Sequence, residues 1–167
     1  DEHSLHYGCL KALQAVHDLR LRLLPLANTG FFEFRFESPG GDVRFHHGCG
    51  DRSFRFGPGS GATTPEHPLA VALLGGPYPE MAIARGVLGC GIAYYAGDES
   101  NGHRAEDWAR GAGLFGMGVL VDGGGDDTYE IDEVGLSVGC FGTGLLLDAG
   151  GNDKYYLRKG DGQGLGF

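Results

Sequence analysis

Residues 116–156 read GMGVLVDGGGDDTYEIDEVGLSVGCFGTGLLLDAGGNDKYY, and the stretch is two copies of one pattern. Residues 116–129 (GMGVLVDGGGDDTY) align with residues 142–155 (GTGLLLDAGGNDKY) at an offset of 26. Upstream, residues 86–95 (GVLGCGIAYY) match residues 113–122 (GLFGMGVLVD) at an offset of 27, and residues 139–148 (GCFGTGLLLD) at an offset of 53. Three units therefore start near Gly86, Gly113 and Gly139, and residues 163–167 (QGLGF) read as the opening of a fourth. The first unit departs most. It carries Tyr95 where the others carry Asp122 and Asp148, and Gly97-Asp98-Glu99-Ser100 replaces the GGDDTY turn. Tandem units of this length mark stacked supersecondary structure, with atypical units at the ends.

Each unit holds an apolar run of Val and Leu, a Gly/Asp turn, a Thr-Tyr or Lys-Tyr pair, and a Gly-rich link. No unit keeps helical spacing over ten residues. Each glycine of the internal Gly-x-Gly would also weaken a helix by about 1 kcal/mol. The pattern predicts a mainly β chain, a parallel β-solenoid with coils of about 26 residues, each coil three short strands and three turns. Adjacent coils would pair in register about 4.8 Å apart. Leu120 then stacks on Leu146, Tyr129 on Tyr155 and Gly118 on Gly144. Leu120 and Leu146 are expected to point inward and be buried, with Val119 or Val121 and their counterparts placed by alternation. The alternative is an antiparallel meander in which each unit is a hairpin and GGDD its loop.

Ahead of the units, Leu10, Leu13, Val16, Leu19 and Leu23 fall at helical spacing, and Pro25 ends the pattern. A helix from about Tyr7 to Leu24 is expected, its Leu face covering a core end. Phe32, Phe34 and Phe36 alternate with Glu33, Arg35 and Glu37, a strand signature. Pro39-Gly40-Gly41-Asp42 reads as a turn, and Val43 and Phe45 begin a second strand. The expected layout is an N-terminal helix plus small β layer over 1–60, a capping element or degenerate repeat; a linker over 61–85, with a short buried strand or helical turn at 68–74; and the Gly-rich repeat region over 86–167. The chain opens at Asp1 and stops at Phe167 inside an incipient unit, so a processed or partial chain is expected.

Charge is lopsided. Residues 1–85 carry 9 acids and 8 bases, whereas residues 86–167 carry 13 acids and 5 bases, a net of −8. A nucleic-acid partner is excluded on this ground, because phosphate binding needs a basic face. Twenty-two of the 33 glycines also lie after Arg85, which implies tight turns or close backbone approach there. No apolar run reaches the 18 residues or so of a membrane span. Cys9, Cys49, Cys90 and Cys140 are far apart, with no CxxC. This argues against a zinc ribbon and leaves open whether any of them form disulfides. His46, His47 and Cys49 have suitable donor types for zinc, but adjacent strand residues point to opposite faces. His103 and Trp108 fall in an insert between units and offer a contact point or edge packing.

The turns GDDTY at 125–129 and GNDKY at 151–155 resemble part of the calcium-binding repeat of secreted RTX proteins, and the wider region 86–167 resembles Gly/Asp-rich tandem repeats of bacterial proteins. The first glycine of the RTX pattern falls here on Asp122 and Asp148, and its nine-residue repetition is absent. The resemblance implies a carboxylate ligand at Asp127 and another at Asp153, with carbonyls of the Gly124–Gly125 and Gly150–Gly151 turns. Stacking sets Asp122 over Asp148, Asp127 over Asp153, and Asp126 over Asn152. Asp127, Asp153, Asp126 and Asn152 are thus the candidate metal residues. Their repulsion is relieved by turn amides or by a hard cation. No cofactor is required, and calcium is an option.

The chain lacks GxSxG, HExxH and P-loop signatures. The expected function is a non-enzymatic structural or interaction module, a subunit of a larger assembly. It would meet a protein partner or another copy at its C-terminal edge, in an extracytoplasmic (periplasmic or secreted) setting. The alternatives are a calcium-binding secreted repeat module and a carbohydrate-active β-helix enzyme using Asp122, Asp126 and Asp127.

Overall fold

A computed structural model of the chain describes residues 3–23, 32–38, 41–47, 63, 68–75, 84–95, 97, 98, 100–105, 110–160, 164 and 166. Among these, one helix, α1 (Leu5–Leu23), precedes the strands β1 (Phe32–Ser38), β2 (Gly41–His47) and β3 (Leu69–Gly75). Three sets of three follow. The first is β4 (Arg85–Val87), β5 (Cys90–Tyr95) and β6 (Gly102–Ala105). The second is β7 (Ala112–Leu114), β8 (Met117–Asp122) and β9 (Thr128–Ile131). The third is β10 (Gly139–Cys140), β11 (Thr143–Asp148) and β12 (Lys154–Leu157).

Each set gives one strand to each of three sheets. The largest sheet runs β1-β2-β3-β5-β8-β11, the second β10-β7-β4 and the third β12-β9-β6. All pairs are parallel except the β1–β2 hairpin. The register matches the sequence offsets: Leu146 pairs with Leu120, Gly144 with Gly118, and Tyr155 with Tyr129. The meander is excluded, because β8 pairs with β5 and β11, and β9 with β6 and β12, rather than with each other. The shift from an offset of 27 to 26 is absorbed between β5 and β6, where the first unit has one residue more than the second has between β8 and β9. Within the stretch 61–85, β3 lies between β2 and β5 in the largest sheet, and Thr63 extends the second sheet by bonding to Arg85 and Val87. A parallel bridge joins Gly166 to Gly139, where the fourth opening was read.

The central strands of the largest sheet, β3, β5 and β8, are buried on both faces and carry apolar residues almost throughout, whereas Phe34 and Phe36 of β1 and Leu147 of β11 are exposed. One face presents Leu74, Tyr95 and Leu120 to Tyr129, Ile131 and Leu136, with Leu146 half-buried beside them. The other presents Val71, Leu73, Ile92, Tyr94, Val119 and Val121 to α1. Val119 and Val121 are therefore buried against the helix, on the opposite side from Leu120. The helix covers a sheet face and not the core end expected for it. Its packed stripe is Cys9, Ala12, Leu13, Val16 and Leu19, while Leu10 points to solvent, 55% exposed. Leu13, Val16 and Leu19 of the expected face pack here, and Cys9 and Ala12 take the buried side in place of Leu10. The Cys9 and Cys90 thiols hydrogen-bond across this interface and are free, as is Cys140.

Corners between the second and largest sheets are tight. A Cβ built on Gly118 would stand 2.1 Å from the Ala112 carbonyl oxygen, and one on Gly144 would stand 2.5 Å from that of Gly111. At the equivalent corner positions Leu88, Phe115 and Phe141 adopt left-handed φ of 51°, 46° and 45°. Non-glycine residues adopt that region at a cost of about 1 kcal/mol or more each. All three side chains point outward, and the Phe115 and Phe141 rings stack 5.1 Å apart. No helix among the described residues is long and apolar enough to cross a membrane.

Candidate functional site

The strands of the third sheet align one side-chain ladder, and the C-terminal ends of the largest sheet align another. Register places His103 beside Tyr129 and Tyr129 beside Tyr155. It likewise places Tyr95 beside Asp122 and Asp122 beside Asp148. The ladders meet inside the corner. His103 stacks on Tyr129 with centroids 4.5 Å apart, and takes the edge of Tyr95 at 4.7 Å. Its Nε2 lies 2.7 Å from Asp122 Oδ2, both side chains fully buried. Tyr129 stacks on Tyr155 at 4.8 Å, and its hydroxyl donates to Asp148 Oδ2 at 2.8 Å.

The turn acids cap the neighbouring unit. Asn101 N–H donates to Asp127 Oδ1 at 2.6 Å, and Asp127 N–H donates to Asp153 Oδ1 at 3.0 Å. These positions are equivalent in successive units. Asn152 N–H similarly donates to Asp126 Oδ1 at 2.9 Å, but on the exposed side of the turn. Within each unit, Gly124 N–H reaches Asp122 Oδ1 and Gly150 N–H reaches Asp148 Oδ1. Backbone amides thus meet much of the charge in the turns.

Of the four residues singled out in the sequence as metal ligands, Asp127 and Asp153 share a cluster of ligand atoms, whereas Asp126 joins neither cluster of acids and accepts from the Asn152 amide on the exposed side of the turn. Side chains alternate along extended chain, so Asp127 turns in while Asp126 turns out. Among the described residues, two groups have ligand atoms within 4.8 Å of one another: His103, Asp122 and Asp127, all buried, and Asp127, Asp148 and Asp153, the last two half-buried. Among buried atoms, Asp127 Oδ2 and His103 Nδ1 have no hydrogen-bond partner. His103 was legible only as part of an insert. It belongs to β6, and its sole sequence signal is a position 26 residues before Tyr129. The side chains of His46 and His47, with Cys49 and Trp108, lie outside the described residues.

Burial pushes the Asp122 carboxyl up to about 7, against the Gly124 N–H, with the Asp148 charge adding to the rise. Burial likewise raises Asp127 to about 6, against the Asn101 N–H, with Asp122, Asp148 and Asp153 adding to it. Burial and the Arg110 guanidinium hold His103 well below its ordinary value. Arg110 is itself buried and donates to the Arg104 carbonyl. The His103–Asp122 pair therefore shares one proton up to about pH 7, whichever atom carries it.

This sets a pH dependence. Between pH 4 and 6 the unfolded chain has released the Asp127 proton and the folded chain still holds it. Stability is accordingly greatest at the low end of that window and falls as pH rises, by about 2–3 kcal/mol at roughly 1.4 kcal/mol per unit. With chelator present, the denaturant midpoint should fall from pH 4.5 to pH 6.5, and Asp127→Asn should remove its share of the fall and leave that of Asp122. An unchanged slope in the variant would remove Asp127 as its source.

No protein-family model matches the chain, and no curated protein and no solved structure shows significant similarity to it.

Proposed function

We propose that the chain is a short parallel β-solenoid serving as a structural or interaction module of a larger assembly. The observation that carries this reading is the contrast between its second and third units. Tyr129 is fully buried, yet its register partner Tyr155 is 38% exposed. Val121 and Ile131 are buried, while their counterparts Leu147 and Leu157 are exposed. Phe141, at 70% exposure, and Tyr156 lie in the same unit. One residue pattern is thus a core when another layer covers it and an apolar surface when none does. Among the described residues, β11 and β12 are also end strands of their sheets, where a further strand can pair. A reading as a carbohydrate-active enzyme gains less support, since Asp122 and Asp127 are buried away from any polymer and Asp126 stands apart from them.

The test is sedimentation velocity on the full chain over a hundredfold concentration range. Self-association is expected, and Leu147→Lys combined with Tyr156→Lys should return it to monomer. Both positions are exposed, so the fold survives the change. A chain that stays monomeric throughout, and captures no protein through the third unit in a crosslinking assay that the double variant fails, would overturn the reading.

A further inference from the structure

We propose that His103, Asp122 and Asp127 form a buried site for one divalent ion of the first transition row, with Zn²⁺ or Mn²⁺ as the fitting occupant. Three separate segments supply the donors: β6, the end of β8, and the turn before β9. Their ligand atoms lie within 4.8 Å of one another. Bonds of about 2.0–2.2 Å from ion to nitrogen or oxygen put two donors on one ion at most about 4.4 Å apart. To share an ion, the hydrogen-bonded His103–Asp122 pair, 2.7 Å apart, opens to the roughly 3.4 Å of two tetrahedral donors while the Asp127 carboxylate draws in slightly.

A second observation points to a ligand independently. Asp127 is 1% exposed, and its Oδ2 has no hydrogen-bond partner. The Asn101 amide accounts for Oδ1 alone. A buried carboxylate oxygen with no donor bears its full desolvation penalty, and native structures rarely leave one so. The cluster around it is preorganised. Tyr95 and Tyr129 hold the His103 ring from edge and face, and Asp122 fixes its Nε2 end. An ion entering here takes the place of the proton shared by Nε2 and Asp122 Oδ2, which passes to solvent. Asp148 accepts from the Tyr129 hydroxyl and belongs with Asp127 and Asp153 to the neighbouring carboxylate group, so it is a further donor beside the site.

The donor set selects the ion. An imidazole nitrogen with carboxylates suits zinc or manganese, whereas calcium takes six to eight oxygens. The outer group of Asp127, Asp148 and Asp153 is oxygen only and would make the opposite choice.

The test uses the full chain, stripped with chelator and dialysed against Zn²⁺, Mn²⁺ or Ca²⁺ separately. One equivalent of Zn²⁺ or Mn²⁺ should be retained per chain, with a raised melting temperature, and Ca²⁺ should not be. His103→Gln and Asp127→Asn should each weaken binding by at least about tenfold, the lower bound seen for mere outer partners. Asp126→Asn should leave it unchanged. Pulsed electron paramagnetic resonance of the native chain with Mn²⁺ needs no variant and should show coupling to a directly bound imidazole nitrogen. Absence of that coupling, retention of neither ion, or full binding by folded His103→Gln would each overturn the proposal. Preferential Ca²⁺ binding lost in Asp148→Asn would overturn it too, by moving the site to the outer group.

Discussion

Leu120→Asp is expected to leave the repeat region without a cooperative unfolding transition. Leu120 is fully shielded from water and packs with Leu74, Tyr95, Tyr129 and Ile131. Removing its apolar mass alone costs about 2–5 kcal/mol. A carboxylate in its place, set among apolar side chains, adds a desolvation cost of several kcal/mol more. The sum is comparable with the 5–15 kcal/mol or so of a whole domain. Leu147→Asp is the matched control. It sits in the next unit at the register partner of Val121 and is 46% exposed, so a loss under about 1 kcal/mol is expected. Far-ultraviolet circular dichroism against urea separates the two. A normal transition for Leu120→Asp would show that the inner cluster does not hold the sheets together.

Gly118→Ala is expected to cost about 3 kcal/mol or more. The added methyl would stand 2.1 Å from the Ala112 carbonyl oxygen and 2.6 Å from that of Ala84. Both atoms are backbone, so no rotamer change gives relief, and the corner between two sheets must open. The φ of Gly118 is not in the left-handed range, so the loss is steric and not conformational. Gly102→Ala provides the contrast. Nothing lies within 4 Å of its Cβ position, and alanine there should be neutral or stabilise by up to about 1 kcal/mol through the unfolded chain. Equal denaturant midpoints for the two variants would refute the close-approach account.

The sequence disclosed the register because identical residues recur at a fixed offset, and parallel pairing of equivalent positions is what such recurrence needs. It placed Leu120 inward, as found, but did not reveal that Val119 and Val121 on the opposite face would be buried against a helix. Met117, Val119 and Val121 are as apolar as Leu120, and a strand buried on both sides shows no polar alternation. The helix was legible as an element and in most of its packed face, Leu13, Val16 and Leu19, but not at its start. Its buried stripe begins at Cys9 and leaves Leu10 in water, which counting leucines alone cannot reveal. In the site, the Asp ladders were readable from the copied turns. His103 was not, because GHRA shares no residue with TYEI, and only the pairing of β6 with β9 brings the imidazole onto the tyrosine ladder. Sequence adjacency also misled at Asp126, whose neighbour Asp127 is buried while it is not.

The fixed register has a bearing on how such a chain lengthens over evolutionary time. A duplicated segment of 26 residues would add one strand to all three sheets at once, with every ladder continued and no loop to be redesigned. The link between β5 and β6 already tolerates one residue more than its counterpart between β8 and β9. Within a paired strand, a single added residue turns the strand over and sends its buried side chains to the wrong face. The described repeat strands can therefore change in whole units or at their links, and resist drift within the strands themselves.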